Sequence, residues 1–292
     1  MIDIYSIGDQ GIRTPVNFKS WWFPGGENGF SLMDDCAAKS LHTCHWAHII
    51  VRIQCGNDLL EFLSAVDAIQ RYAGCGIQVS IPYWPAARQD RVANPGEALT
   101  TKIYADIFNS LNLQFVQLVD PHSEVSLALI HNSWLYPIHE KIKLAIENCN
   151  PDFIISPDAG ASKRIETYLK KINCTIPVIQ CLKKRDTLTG RLSGFQVLST
   201  KEELAGKKCL ILDDICDGGG TFIGICEELD ELDAGDTYLY VTHGIFSKGY
   251  SSLLENFTKI YTTDSFIQDE FCIYDPPSAP DDKRLIIYKL YE

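Results

Sequence analysis

Short runs of apolar and β-branched residues recur along the chain, and several are separated by longer stretches with an apolar residue every three or four positions. The runs Ile2–Ile7, Ala47–Ile53, Gly76–Ile81, Phe115–Val119, Asp152–Ser156, Pro177–Cys181, Cys209–Leu212, Tyr238–His243 and Leu285–Tyr291 read as strands. Asn57 is placed to cap a helix that runs to about Tyr72, with Leu59, Leu60, Leu63, Val66 and Ile69 on one face. Leu99, Ile103, Ile107, Phe108 and Leu111 form a second stripe within Pro95–Asn112. Further helices are expected over His139–Cys149, Ser162–Lys171 and Thr221–Leu232. Nearly continuous apolar strands that alternate with helices imply an α/β fold with mainly parallel sheets flanked by helices. Asn148–Asp152 ends a helix before a fresh strand, which predicts domains over 1–149 and 150–292. Asp275–Asp282 reads as a turn-rich loop.

Length and charge narrow the function classes. A chain of 292 residues suits two domains with real cores. Its formal net charge of −12 argues against a protein that grips a nucleic-acid backbone, which needs a basic footprint. A local phosphate site needs only a few cations and a metal ion, so phosphate chemistry stays open. The 11 cysteines form no CxxC pair and read as the reduced thiols of a cytoplasmic protein. Met1–Tyr5 lacks the basic and apolar regions of a signal peptide, and no apolar run is long enough to cross a membrane. His42, Cys44, His45 and His48 form a compact cluster, for which structural side chains are the favoured reading over a metal site.

The strongest chemical signal is Leu210-Ile-Leu-Asp-Asp-Ile-Cys-Asp-Gly-Gly-Gly-Thr221. An apolar strand leads into Asp213, Asp214 and Asp217, then Gly218, Gly219, Gly220 and Thr221 open a helix. Glycines let backbone N–H groups converge on an anion, and a helix N-terminus favours negative charge. Carboxylates beside such a loop suit ribose hydroxyls.

This loop resembles the phosphoribosyl-diphosphate loop of the type I phosphoribosyltransferase fold. Other segments, in family order, make the chain similar to the ribose-phosphate diphosphokinases (phosphoribosyl pyrophosphate synthetases) rather than to a phosphoribosyltransferase. Ile81–Arg91, with Arg88, Gln89, Asp90 and Arg91, resembles their ATP-binding segment, and Phe23-Pro-Gly-Gly-Glu27 a segment that completes a neighbouring subunit's ATP site. Val119–Ser123, with His122, resembles the metal motif, and Ser156–Gly160, with Asp158, the Pro-Asp-Gly loop. Lys183 and Arg185 match a catalytic Lys-x-Arg pair that opens a mobile loop containing Gly190 and Gly194.

The resemblance implies two tandem phosphoribosyltransferase-like domains in a homo-oligomer, a dimer or hexamer. It implies Mg²⁺-dependent transfer of the β,γ-diphosphate of ATP to the C1 hydroxyl of ribose 5-phosphate, with release of AMP. Phe23, Glu27 and Arg88–Arg91 would bind ATP, His122 and Asp158 the metal. Asp213, Asp214 and Asp217 with Gly218–Thr221 would bind the ribose phosphate. Three positions depart from the family: Gly218 replaces a usual Thr, Gly25 a usual Asp, and the chain ends at Glu292, where relatives usually continue. A loop with less side chain at Gly218 would leave space for a 5′-diphosphate, so ADP-ribose, and with it NAD metabolism, is the alternative acceptor. A non-catalytic regulatory relative is a further alternative, although such a protein would be expected to lose Lys183, Arg185, His122 or the loop acids.

Overall fold

The computed structural model describes residues 1–185, 192–266 and 283–291, with the backbone alone at residues 9, 184, 185, 192 and 193. The expected loop Asp275–Asp282 and Gly190 lie outside the described residues. The chain divides into two compact units, Met1–Tyr136 and Pro137–Glu292. The helix His139–Cys149 thus falls in the second unit, whereas the sequence pattern ended the first domain after it.

The first unit contains β1 (Ile2–Ile7), β2 (Arg13–Pro15), β3 (Phe18–Trp22), β4 (Asn28–Leu32), α1 (Cys36–Lys39), β5 (Trp46–Val51), α2 (Gly56–Tyr72), β6 (Gly76–Ile81), α3 (Thr100–Ser110), β7 (Phe115–Leu118), α4 (Glu124–Leu129) and β8 (Ser133–Leu135). One sheet runs in the order β2-β1-β5-β6-β7-β8, parallel from β5 to β8, with β1 antiparallel to β5; β3 and β4 form a separate hairpin. Alternate strand residues Ile49, Val79 and Val116 are buried, as are Phe62, Val66 and Ile69 of α2 and Phe108 of α3. The Phe62 and Phe108 rings stack at 5.1 Å. Each such side chain contributes about 1.5–3 kcal/mol by leaving water.

The opposite strand positions are polar and joined to one another. Arg13 Nη2 lies 2.7 Å from His48 Nδ1, His48 Nε2 lies 2.8 Å from Ser80 Oγ, and Ser80 Oγ donates to Gln117 Oε1 at 2.9 Å. Arg13 must donate, so Nδ1 accepts and the His48 proton sits on Nε2. Burial, and then the Arg13 charge, push the imidazole down to about 4. His48 is therefore a neutral structural histidine, and the His42 ring instead lies against Tyr72 at 4.6 Å. Among the described residues no group of three His, Cys, Asp or Glu side chains is placed to hold a metal ion.

The second unit contains α5 (His139–Cys149), β9 (Phe153–Ser156), α6 (Ala159–Lys171), β10 (Val178–Arg185), β11 (Leu192–Val197), α7 (Lys201–Leu204), β12 (Cys209–Cys216), α8 (Gly220–Glu231), β13 (Thr237–Gly244), α9 (Ser251–Asn256), β14 (Lys259–Thr263) and β15 (Leu285–Tyr288). Its sheet runs β11-β10-β9-β12-β13-β14-β15, parallel except at β11. Ile155, Ile211, Leu239 and Ile260 of the strands form a core with Phe222, Ile225 and Leu229 of α8. Burial pushes the Cys181 and Cys209 thiols up to about 12, so both stay protonated and unreactive at neutral pH.

Several boundaries differ from the sequence pattern. β12 continues through Asp213 and Asp214 to Cys216, because β13 runs alongside it and pairs Asp213 with Val241 and Ile215 with His243. β10 continues to Arg185, where the antiparallel partner β11 supplies the pairing, so Lys183 lies on a strand opposite Phe195 rather than opening a loop. α2 starts after Cys55, not Asn57, since the Asp58 carboxylate accepts the Cys55 N–H at 2.9 Å and closes the first turn there. α3 covers only Thr100–Ser110 of the expected Pro95–Asn112. No described helix is long and apolar enough to cross a membrane.

Candidate active site

The candidate residues of the second unit sit at the C-terminal ends of its parallel strands, where ligand crevices form in such sheets. Asp158 follows β9 and caps α6, its Oδ1 accepting the Ala161 N–H at 3.0 Å. Its Oδ2 accepts Lys183 Nζ at 2.9 Å across the neighbouring strand β10. Burial opposes ionisation of Asp158, but the Lys183 ammonium and the helix N–H outweigh it and hold the carboxyl below its usual range. The Arg185 backbone closes β10; its side chain lies outside the described residues.

Asp213 and Asp214 are neighbours on β12, and both turn an oxygen to one guanidinium. Arg164 Nη2 donates to Asp213 Oδ1 at 2.7 Å and to Asp214 Oδ1 at 2.8 Å. Asp214 is almost fully buried, and the Asp213 oxygen also accepts the Asp214 N–H at 2.9 Å. Two acids facing one cation leave an excess negative charge. Burial first, and the Asp214 charge second, push the Asp213 carboxyl well above the carboxylate range. Arg164 escaped the sequence reading. It stands six residues beyond Asp158, nearly two turns along α6, and only the three-dimensional packing of α6 on β12 shows its role.

The anion loop follows directly. Asp217 Oδ1 accepts the Ser247 hydroxyl at 2.5 Å. Gly219 has φ +78, and a Cβ there would lie 2.9 Å from Leu253 Cδ2, so glycine is required twice over. Gly220 and Thr221 then start α8, in the first turn, where helix N–H groups have no partner within the helix. The strand-end loop 244–249 is bolted to β12, since the Ile245 and Phe246 N–H groups both donate to the Cys216 carbonyl, at 2.9 and 3.2 Å. It lays the Lys248 stem on Gly218, with Cδ and Cε each 3.3 Å from where a Gly218 Cβ would stand. The space expected beside Gly218 is thus bordered by the Lys248 stem. Ser247 and Lys248 also escaped the sequence reading, although their place just past the strand Tyr238–His243 was a usable signal.

In the first unit Arg88–Arg91 follow β6 and His122 follows β7, at the C-terminal ends of neighbouring parallel strands. Arg88, Gln89 and Arg91 are exposed and Asp90 half-buried. Trp84 pins this segment: it is buried, and its Nε1 donates to Thr101 Oγ1 at 2.7 Å. The Gln89 backbone is tied at both ends, N–H to the Ala86 carbonyl at 2.8 Å and carbonyl to the Thr101 N–H at 3.3 Å. His122 is exposed, next to the buried Asp120. Phe23 and Glu27 close the β3–β4 hairpin turn, the Phe23 N–H donating to the Glu27 carbonyl at 2.9 Å. The Glu27 carboxylate reaches the space a Gly25 side chain would take, an oxygen lying 2.6 Å from that Cβ position.

A family model for the N-terminal domain of ribose phosphate pyrophosphokinase matches residues 39–111, and a phosphoribosyl transferase domain model matches residues 128–249. A ribose-phosphate pyrophosphokinase of Thermosipho africanus (strain TCF52B) is 28% identical over 227 residues, 74% of this chain and 70% of that protein. One of Rhizobium meliloti (strain 1021) is 31% identical over 195 residues, 65% of this chain but only 61% of that protein. The crystal structure of phosphoribosylpyrophosphate synthetase from Mycobacterium smegmatis aligns with a TM-score of 0.71 and 20% identity, covering 94% of this chain and 86% of that one. The fold is that of two phosphoribosyltransferase-like α/β domains. With the two family models in order along the chain, and relatives of the same description matched across both, the chain is similar along both units to the ribose-phosphate pyrophosphokinases.

Proposed function

We propose that this protein transfers the β,γ-diphosphate of ATP to the C1 hydroxyl of ribose 5-phosphate and releases AMP. The observation that carries the reading is the second unit's crevice, where an acid pair and a glycine turn stand side by side. Asp213 and Asp214, fixed by Arg164, accept hydrogen bonds from the ribose 2- and 3-hydroxyls. The backbone of Gly218–Thr221 receives the 5-phosphate at the start of α8. Arg88 and Arg91 meet the ATP phosphates, and Gln89 and Asp90 its base or ribose. Phe23 and Glu27 serve the ATP site of a neighbouring subunit, in a homo-oligomer.

The C1 oxygen attacks the β-phosphorus, the bond from that phosphorus to the α-phosphate oxygen breaks with AMP as the leaving group, and the hydroxyl proton passes to solvent. Such transfers depend on positioning and on charge stabilisation. Lys183 and Arg185 supply that charge on the transferred diphosphate. For Lys183 this means leaving Asp158, and the exchange frees the Asp158 carboxylate at the same time. Magnesium binds oxygen donors and takes one or two carboxylates together with substrate phosphates. Asp158, an ionised carboxylate at a strand end, fits that donor set and would hold the ion in the second unit, while His122 would offer a ring nitrogen on the ATP side of the first. When bound, Mg²⁺ neutralises charge on the ATP phosphates.

Mass spectrometry of the products from ATP, Mg²⁺ and a panel of ribose phosphates tests the reading. Phosphoribosyl diphosphate and AMP are expected; no AMP with any acceptor overturns it. ADP-ribose is the second acceptor to include, because the Lys248 stem lies beside the loop and its ammonium suits the near phosphate of a diphosphate as well as a monoester. A non-catalytic regulatory role would also show itself as absent AMP.

A further inference from the structure

The crevice of the second unit carries more positive charge than its motif supplies. Arg164 is committed to Asp213 and Asp214, and Lys183 to Asp158. Lys248 is exposed and, among the described residues, has no acidic partner. Its stem lies along Gly218, where a Cβ would meet Cδ and Cε at 3.3 Å and a larger side chain would displace it. Its neighbour Ser247 is tied to Asp217, and the backbone before both is tied to Cys216. A flexible lysine is therefore held by its alkyl part against the anion loop while its ammonium stays unneutralised. Holding the stem reduces the rotamer entropy that a lysine otherwise loses on binding an anion.

We propose that Lys248 is the cation that binds the 5-phosphoryl group of the ribose acceptor, and that Gly218 is the residue that lets it lie there. The proposal rests on the reading of this loop as the acceptor's phosphate site. A side chain at 218 would push the lysine stem away, so the two positions work as a pair: the loop gives up a hydroxyl donor and gains a full charge. An ammonium is a point charge that binds phosphate without a fixed fork geometry. It therefore serves a phosphate monoester or the near phosphate of a 5-diphosphate alike, and ribose 5-phosphate and ADP-ribose share the group it recognises.

Lys248→Met keeps the stem on Gly218 and removes the charge; Lys248→Arg keeps the charge. Calorimetry of ribose 5-phosphate, and separately of ADP-ribose, against each protein without ATP reads binding independently of turnover. For whichever acceptor the native protein binds, the Met variant is expected to weaken affinity about tenfold, the size of one charge-assisted contact, and the Arg variant to recover most of it. The Met loss is expected to shrink as salt rises. Under turnover the acceptor KM should rise while the ATP KM stays put. Equal affinity of the Met and native proteins overturns the assignment even if AMP is formed. Charge-dependent binding without AMP formation sustains the assignment and removes the proposed reaction. Binding of neither acceptor by the native protein removes both.

Discussion

Arg164 is the residue on which the acid pair depends. One guanidinium nitrogen satisfies both Asp213 and Asp214, and its side chain is only 19% exposed. Removing it leaves two neighbouring acids without their shared cation in a poorly solvated strand. Arg164→Met is expected to cost about 3 kcal/mol in a denaturant titration at pH 7.5, the scale of a buried pair broken from one side. Asp213 gives the same site a pH signature. Its folded pKa, near 8, lies above that of the unfolded chain, so the folded state holds the extra proton. The stabilising contribution is fully present below the unfolded value and is lost as pH rises through the folded one. His48, lowered from 6.5, acts only below that value and with the opposite sign, so it does not confuse the upper window. Between pH 6.5 and 8.5 the native protein should lose stability with rising pH, and Asp213→Asn should flatten that slope. A slope unchanged by the substitution would show that Asp213 does not titrate there.

At the scale of elements, α8 and its turn are the most constrained piece. Gly219 combines a left-handed backbone with a Leu253 methyl where its Cβ would stand. Gly219→Ala is expected to cost about 1 kcal/mol or more and to lower the melting temperature, with weaker ribose 5-phosphate binding because the turn shifts. Gly220→Ala, with nothing within 4 Å of its Cβ position and no unusual φ, should leave the melting temperature unchanged. Equal effects of the two substitutions would mean that Leu253 yields freely. The motif itself was legible because a glycine run after an apolar strand has few other uses. The buried parallel strands were legible for a related reason: β5 and the Tyr238–Val241 part of β13 are nearly unbroken apolar runs, and β6 sets Ile77, Val79 and Ile81 at alternate positions. The end of β12 was not, since Asp213 and Asp214 break the apolar run and only pairing with β13 keeps them in the sheet. The β3–β4 hairpin was missed as well. Its Phe18, Trp21, Trp22 and Phe30 follow no alternation of buried and exposed positions, and its register is set by pairing across the turn. Arg164 and Lys248 are ordinary surface cations in sequence, and their meaning lies wholly in what the fold puts beside them.

At the scale of the whole molecule, an excess of 12 negative charges surrounds a chemistry of polyanions, so the few cations must be placed rather than numerous. The same economy bears on assembly. Trp21, Trp22 and Phe23 are 41%, 43% and 50% exposed on consecutive residues of one hairpin edge, an aromatic concentration unusual for surface that stays in water. Gly29 anchors that hairpin, because a Cβ there would overlap the Trp21 ring. If Phe23 and Glu27 complete the ATP site of a second copy, damage to the hairpin and damage to Lys183 fall in different sites of a dimer. A chain carrying Phe23→Ala and Glu27→Gln should then be inactive alone, as should one carrying Lys183→Ala. Co-expressed with different affinity tags and purified as hybrids, the two should regain turnover: the Lys183-bearing chain receives an intact hairpin from its partner. A hairpin that serves its own chain leaves both halves of the hybrid defective, and the hybrid would stay as inactive as its parents. Sedimentation of the native protein at or above dimer mass is the accompanying requirement, and a monomer with full turnover would overturn the shared site.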